Sequence, residues 1–307
     1  MAEKFPGRKH RSSALPLVSC LCLTYRRPPR DQYLLEEAIE SFLRQTYPHK
    51  ELIVLNDSPE QVLACDAPGV RVVNTANRCN SAGEKRNLAV ALARGELLAP
   101  WDDDDISLPW RLEVSVARLG GADYYSPGKL WVSRAGELQH EPIRYFAHVA
   151  SVFSRRGFQH VGGYRAISFG EDLRLDAALR TQAQLSPYAD PNDHSLSPQD
   201  LFYLYRAGAS ANHLSRVNNP FRWDEIGSRP LDQGHFTLRP HWRTDYVALT
   251  CRQVVLRTRA EAQDPAWDDT VLLVGNLPRV QAAPPAMRGF ALPEAGPGES
   301  AKHHRRR

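Results

Sequence analysis

The sequence predicts an α/β fold: a mostly parallel sheet covered by helices on both faces. Three observations predict it. Short apolar runs alternate with segments of helical period up to Leu119. Three of those runs pass directly into polar clusters, namely Thr24-Tyr25-Arg26-Arg27, Asn56-Asp57-Ser58 and Asp102 to Asp105. Ligands of open α/β sheets gather at the carboxyl ends of strands, so the clusters mark one sheet edge as the binding edge.

Taken in order, residues 1–15 are polar and basic and are expected to be flexible. Leu17 to Thr24 reads as a first buried strand. Asp31 is placed to cap a helix whose apolar positions Leu34, Leu35, Ala38, Ile39, Phe42 and Leu43 keep the helical period, with Pro48 set to stop it. Leu52 to Leu55 and Val70 to Val73 read as a second and a third strand. Ser81 and Glu84 have the spacing of a capping box for a helix through Ala93, with Gly95 placed to end it. Leu97 to Trp101 is a fourth strand, running into the four aspartates.

Beyond Pro109 the pattern loosens. A helix through Leu119 is followed by short strands around Tyr124 to Trp131 and Val149 to Phe153, and by a turn at Gly162-Gly163. A helix then opens at Glu171, a polar loop runs from Ser186 to Gln199, and a strand covers Leu201 to Tyr205. The expected division is one domain over 16–257, with a first half (16–119) and a less regular second half (120–257). An extension over 258–283 and a Pro/Gly-rich basic tail over 284–307, expected to be disordered, complete it. No internal repeat is found.

Composition bounds the function. A chain of 307 residues is long enough to bury one large α/β core. Its net charge of +4 is small and gathers at the two ends, so no specific nucleic-acid binding is called for; weak peripheral contact with an acidic membrane through the basic ends is the most that charge suggests. No run reaches the ~20 apolar residues of a membrane span. Ala14 to Leu23 imitates a short signal peptide but passes straight into Thr24, Arg26 and Arg27 without a small-residue cleavage site. The five cysteines are odd in number and lack zinc-ligand spacing, which suits a reducing cytoplasm.

The sharpest chemical signal is Trp101-Asp102-Asp103-Asp104-Asp105 after an apolar strand. Two carboxylates about 5 Å apart repel by roughly 3 kcal/mol at an effective dielectric of about 20. Four in a row at a sheet edge therefore need water or a counter-cation. In extended backbone Asp102 and Asp104 point to one side, roughly 7 Å apart, where a hard cation could bridge them to phosphate oxygens. By itself such a run could equally be a solvated turn capping the next helix. Ser81-Ala82-Gly83-Glu84-Lys85-Arg86-Asn87 is a second anchor. Cations in the first turns of a helix oppose its dipole, and a bound anion or nearby acids would remove the conflict.

The segments Pro16 to Pro28 (PLVSCLCLTYRRP), Lys50 to Ser58 (KELIVLNDS), Gly83 to Asn87 (GEKRN), Gly95 to Asp105 (GELLAPWDDDD) and Gly170 to Leu179 (GEDLRLDAAL), in that order, resemble glycosyltransferase family two, inverting nucleotide-sugar transferases of the GT-A fold. The resemblance spans about residues 16 to 180. It implies that Thr24, Tyr25 and Arg27 lie beside the donor nucleotide, that Asp57 accepts a hydrogen bond from its base, and that Arg86 lies near the nucleotide or its phosphates. Asp102 and Asp104 match the D-x-D motif, the first near ribose or metal and the second on the metal, with Asp103 among the donor-binding residues. Asp172 matches the catalytic base, and Glu171 could act in its place or orient it. A histidine is added to the metal shell in some GT-A enzymes, which makes His213 a candidate ligand.

The implied cofactor is manganese or magnesium, and the implied donor a nucleoside-diphosphate sugar, with UDP favoured. The acceptor hydroxyl compound is unnamed: a saccharide, a lipid-linked saccharide or another alcohol. Independently of the resemblance, a carboxylate in a first helical turn is held ionised by the dipole and can take a proton. Two departures stand out. Arg26 occupies a position where asparagine is frequent, and Pro100 interrupts a normally aliphatic strand, suggesting an edge or a bulge. Two other functions remain. A sugar-phosphate nucleotidyltransferase would usually carry a Gly-rich basic loop after the first strand, and Arg26-Arg27-Pro28-Pro29-Arg30 has no glycine. A non-catalytic nucleotide-sugar-binding protein would sense a donor without transferring it.

Overall fold

The computed structural model describes residues 15–134, 137–139, 143–144, 148–189, 196–209 and 233–262. Its main sheet has the order β4-β2-β1-β5-β11-β7. Here β1 is Val18–Thr24, β2 is Lys50–Asn56, β4 is Val70–Asn74, β5 is Leu97–Asp102, β7 is Tyr124–Tyr125 and β11 is Val152–Ser154. The first four pair in parallel, and only β11 runs against its neighbours.

The strands β1 and β2 read as unbroken apolar runs because both faces are covered. Val18, Cys20 and Cys22 join a core with Leu35, Ala38, Ile39 and Phe42 of α1 (Gln32–Leu43) and Leu112, Val114 and Leu119 of α3 (Arg111–Leu119). Leu21, Ile53 and Leu98 point the other way. There they meet Ala89 and Val90 of α2 (Ala82–Leu92), Phe158 of α4 (Arg155–His160), and Leu175 and Leu179 of α5 (Glu171–Gln182).

Register brings the strand ends level. Thr24 stands opposite Asn56, Leu23 opposite Asp102, and Asn56 opposite Asn74. A second sheet has the order β10-β8-β12-β6, with β9 on β8. Its strands are β6 (Ile106–Ser107), β8 (Lys129–Arg134), β9 (Glu137–Leu138), β10 (Ile143–Arg144) and β12 (Tyr203–Ala207). A small third sheet pairs β3 (Gln61–Ala64) with β13 (Gly234–Thr237). Asp103 to Asp105 are thus the corner at which the chain leaves the main sheet and enters the second.

Several local expectations need correcting. Asp31 sits in a 3-10 turn before α1 and makes no capping hydrogen bond with its side chain. The helix ends well before Pro48, because Gln45 Nε2 takes the carbonyls of Ser41 (2.8 Å) and Leu108 (2.9 Å). The Ser81 cap holds, with Glu84 N–H donating to Ser81 Oγ at 3.1 Å, but the Glu84 carboxylate accepts from Asn80 N–H instead of Ser81 N–H.

Gly95 does not end α2. Arg155 does, donating to the carbonyls of Val90 and Ala93. Glycine is required at 95 because a Cβ would lie 2.6 Å from Leu17 O and Ser19 Oγ. Pro100 needs no bulge. Leu97 N–H donates towards β1, so strand alternation turns the Pro100 nitrogen the other way, beyond the end of β11, which pairs only with Leu97 and Leu98.

The last described helix, α6 (Tyr246–Ala262), runs through the boundary drawn at 257. Among the described residues no helix is long and apolar enough to cross a membrane, and all five cysteines are free. The basic ends over 1–14 and 284–307, and the stretch 263–283, lie outside the described residues.

Candidate active site

The aspartate run does not stay extended. Asp102 closes β5, and a turn over Asp103 to Asp105 folds the next carboxylates back. Carboxylate oxygens of Asp102, Asp104 and Asp105 consequently lie within 4.8 Å of one another, closer than the extended-strand spacing, and with a third member, Asp105, that alternation could not supply. Asp103 is not one of the three and accepts a two-pronged interaction from Arg27, whose Nε lies 2.8 Å from Asp103 Oδ2. Arg27 Nη2 also reaches Asp104 Oδ2 at 3.1 Å.

Burial and the charge of Asp105, with lesser contributions from Asp104 and Asp103, push Asp102 well above the usual carboxylate range against the pull of Arg86. Three hard oxygen donors crowded together are a donor set suited to magnesium or manganese. A bound cation would relieve the repulsion that raises Asp102. His213 lies outside the described residues and stands neither for nor against this set.

β12 grips the turn from the other side. Tyr203 Oη donates to Asp105 Oδ2 and Arg206 N–H to Asp105 Oδ1, each at 2.7 Å, while Arg206 Nε donates to the Asp104 carbonyl. Behind it, the buried Arg111 guanidinium packs 4.5 Å from the Trp101 ring and donates to Pro100 O (2.7 Å) and Ser107 Oγ (2.8 Å).

The carboxyl end of β1 carries the nucleotide-side candidates. Thr24 is buried; its carbonyl accepts from Lys85 Nζ at 2.6 Å, and its hydroxyl has no partner among the described residues. Arg27 Nη1 is a second buried polar atom without one. Tyr25 presents its ring to the Arg78 guanidinium at 4.4 Å. Arg26 has φ 47°, the left-handed region, and its N–H donates to Ser58 Oγ at 2.6 Å. Asparagine tolerates that conformation better than most residues, a physical reason for its frequency there.

Asp57 is fully buried and pairs with Lys85 through Oδ1, while Oδ2 accepts Cys79 N–H at 3.1 Å. Lys85 therefore meets an acid of the protein. Burial pulls its pKa down, with Asp57 working against that. Arg86, one residue on, donates from Nε to Glu171 Oε1 at 3.0 Å and lies over the Tyr164 ring at 5.6 Å. Glu171, Asp102 and Asp172 all act electrostatically on Arg86, and its ion pair with Glu171 ties α2 to the start of α5.

Glu171 is buried and committed to Arg86. Asp172 is half-buried, with Oδ1 accepting Leu173 N–H at 2.8 Å, and is the less encumbered carboxylate of the two. Beneath α5, buried His148 joins Asp176 Oδ1 (2.8 Å) to the Tyr164 hydroxyl (2.7 Å). Asp105, Tyr203, Arg206 and His148 escaped sequence reasoning. Only the fourth place of Asp105 in its run was a signal.

Known proteins similar to this chain bear on its family. The family model "Glycosyl transferase family 2" matches residues 21–163. An uncharacterized glycosyltransferase of Methanocaldococcus jannaschii is 37% identical over 245 residues, 74% of this chain and 80% of that protein. WcaA of Escherichia coli K12, provisionally named a colanic acid biosynthesis glycosyl transferase, is 34% identical over 160 residues; the match takes in 47% of this chain and about half (52%) of that protein. Among solved structures, Staphylococcus aureus TarS with UDP-GlcNAc is similar at 12% identity and TM-score 0.46, over 79% of this chain and 66% of that one, a likeness too weak to bear on substrate. The family match and the extensive identity to the archaeal protein together show that this chain belongs to glycosyltransferase family 2.

Proposed function

We propose that the chain transfers a sugar from a nucleoside-diphosphate sugar, UDP-linked in the favoured case, to an acceptor hydroxyl with inversion and with a divalent metal. The observation that carries this reading is the convergence of Asp102, Asp104 and Asp105 at the carboxyl end of β5, level with the ends of β1 and β2. These carboxylates would hold the cation; when bound, it neutralises charge developing on the departing diphosphate.

Arg27 anchors Asp103 and Asp104, and its unpartnered Nη1 and the Thr24 hydroxyl are donors available to the nucleotide. Asp57 fixes the pocket through Lys85 and keeps acceptor capacity for a base N–H. Arg86, held by Glu171, would meet the phosphates. Asp172, in the first turn of α5, takes the acceptor's proton. The acceptor oxygen then bonds to the anomeric carbon as the carbon–oxygen bond to the diphosphate breaks, its electron pair leaving with the nucleoside diphosphate. Attack opposite the leaving group inverts the centre.

Thermal-shift screening of nucleotide-sugars with and without Mn²⁺ tests the reading, because a ligand that binds only the native state raises its apparent stability. A metal-dependent shift with one nucleobase series is expected. Equal melting with every donor, with and without metal, would contradict it.

A further inference from the structure

The acidic turn is held from a distance by a buried chain of polar contacts that the transfer reaction does not use directly. Arg206 touches the turn twice, through its main-chain N–H on Asp105 Oδ1 and through Nε on the Asp104 carbonyl. Its guanidinium continues away from the site, with Nη1 paired to Glu37 Oε2. Glu37 lies on α1 and is almost wholly buried. It gathers two further donors from the start of α6 and the segment before it: Arg243 N–H on Oε1 at 3.0 Å, and Tyr246 Oη at 3.1 Å from both carboxylate oxygens. The same segment is tied to α1 by Trp242 Nε1 on Ser41 Oγ (3.1 Å) and Arg239 N–H on Glu36 Oε1 (2.9 Å).

We infer that Glu37 and Arg206 are positioning residues for the metal site, and that the α6 segment sets the geometry of the Asp104-Asp105 turn through them. A buried guanidinium is directional. Paired with Glu37, the Arg206 fork has one orientation in which Nη1 meets the carboxylate and Nε meets the Asp104 carbonyl. With the partner charge gone, Arg206 loses the group that fixes its far end, and the two carboxylates it frames lose their spacing. Outlying groups that orient metal ligands affect metal affinity without touching the ion.

This inference rests on the metal-dependent reading of the site, and the test separates the two. Mn²⁺ alone is titrated into the full chain, with free Mn²⁺ followed by electron paramagnetic resonance and melting recorded in parallel. The variants are Glu37→Gln, which keeps shape and neutral hydrogen bonding; Tyr246→Phe, which removes only the outer hydroxyl; and Glu51→Gln as a control. Glu51 is an equally buried carboxylate at the opposite end of β2, paired with Arg94 and Ser19.

Glu37→Gln is expected to weaken Mn²⁺ binding about tenfold and Tyr246→Phe about two- to threefold. Glu51→Gln is expected to lower the melting temperature with Mn²⁺ affinity unchanged. If wild type binds Mn²⁺ and Glu37→Gln binds it equally well, or if both glutamate variants weaken it alike, Glu37 is merely structural and the inference falls. If wild type itself binds no Mn²⁺, the metal-dependent reading fails and takes this inference with it.

Discussion

The two ends of the main sheet handle carboxylates in opposite ways. At the amino end Glu51 is fully matched: Ser19 Oγ donates at 2.6 Å, Arg94 N–H at 2.7 Å and Arg94 Nε at 2.9 Å, and Ser19 in turn accepts Gly95 N–H. Although burial pushes the Glu51 pKa up, these bonds outweigh it and hold the carboxyl below its ordinary range. At the carboxyl end Asp57 is matched by Lys85, but Asp102, Asp104 and Asp105 crowd together, and burial with the charge of Asp105 drives Asp102 the other way. Matched acids hold the fold together, whereas the crowded ones are those that, in the proposed reading, would hold an ion.

The comparison can be broken most sharply at Asp172. Asp172→Asn should cut turnover by about 10²- to 10⁴-fold while leaving melting and donor affinity nearly unchanged; an equal fall in stability would move Asp172 to the structural side. Next in size is Lys85→Met, which strands buried Asp57 and should destabilise the fold by about 3–5 kcal/mol in denaturant unfolding.

Glu51→Gln should cost about 1–2 kcal/mol at neutral pH. Because the folded-state pKa of Glu51 is depressed, its contribution is present above the ordinary value of 4.5 and is lost as pH falls through the folded one. The gap between wild type and variant should therefore close on acidification, as unfolding curves from pH 7 to pH 3 would show. Smallest is Asp104→Asn without metal, expected to change stability by less than about 1 kcal/mol, because removing a surplus charge offsets the lost contact with Arg27.

The half up to Leu119 was legible because its signals are local. Val18–Thr24 and Lys50–Asn56 are continuous apolar runs covered on both faces, and Ser81 and Glu84 sit a capping distance apart. Where sequence reasoning slipped, a distant partner decided the outcome. Gln61–Ala64 becomes a strand only because Gly234–Thr237 lies beside it, and Gly95 is glycine because β1 passes within contact distance.

In the site, strand alternation paired Asp102 with Asp104, but what brings them together is a turn that also recruits Asp105, and that turn was not legible. Arg206 and Tyr203 could not be assigned to the turn from sequence, since nothing local in Tyr203-Leu204-Tyr205-Arg206 says that its strand runs beside Ile106–Ser107. A lone histidine such as His148 likewise gives no sign of the aspartate and tyrosine that flank it.

The most direct measurement is nucleoside-diphosphate release from the best-stabilising nucleotide-sugar, followed in wild type and Asp104→Asn across a Mn²⁺ titration, with the anomeric configuration of the product read by NMR. Release that rises with Mn²⁺ in wild type, is absent from the variant and gives inverted product is the result predicted. Turnover indifferent to metal, or equal in the two proteins, would contradict the account.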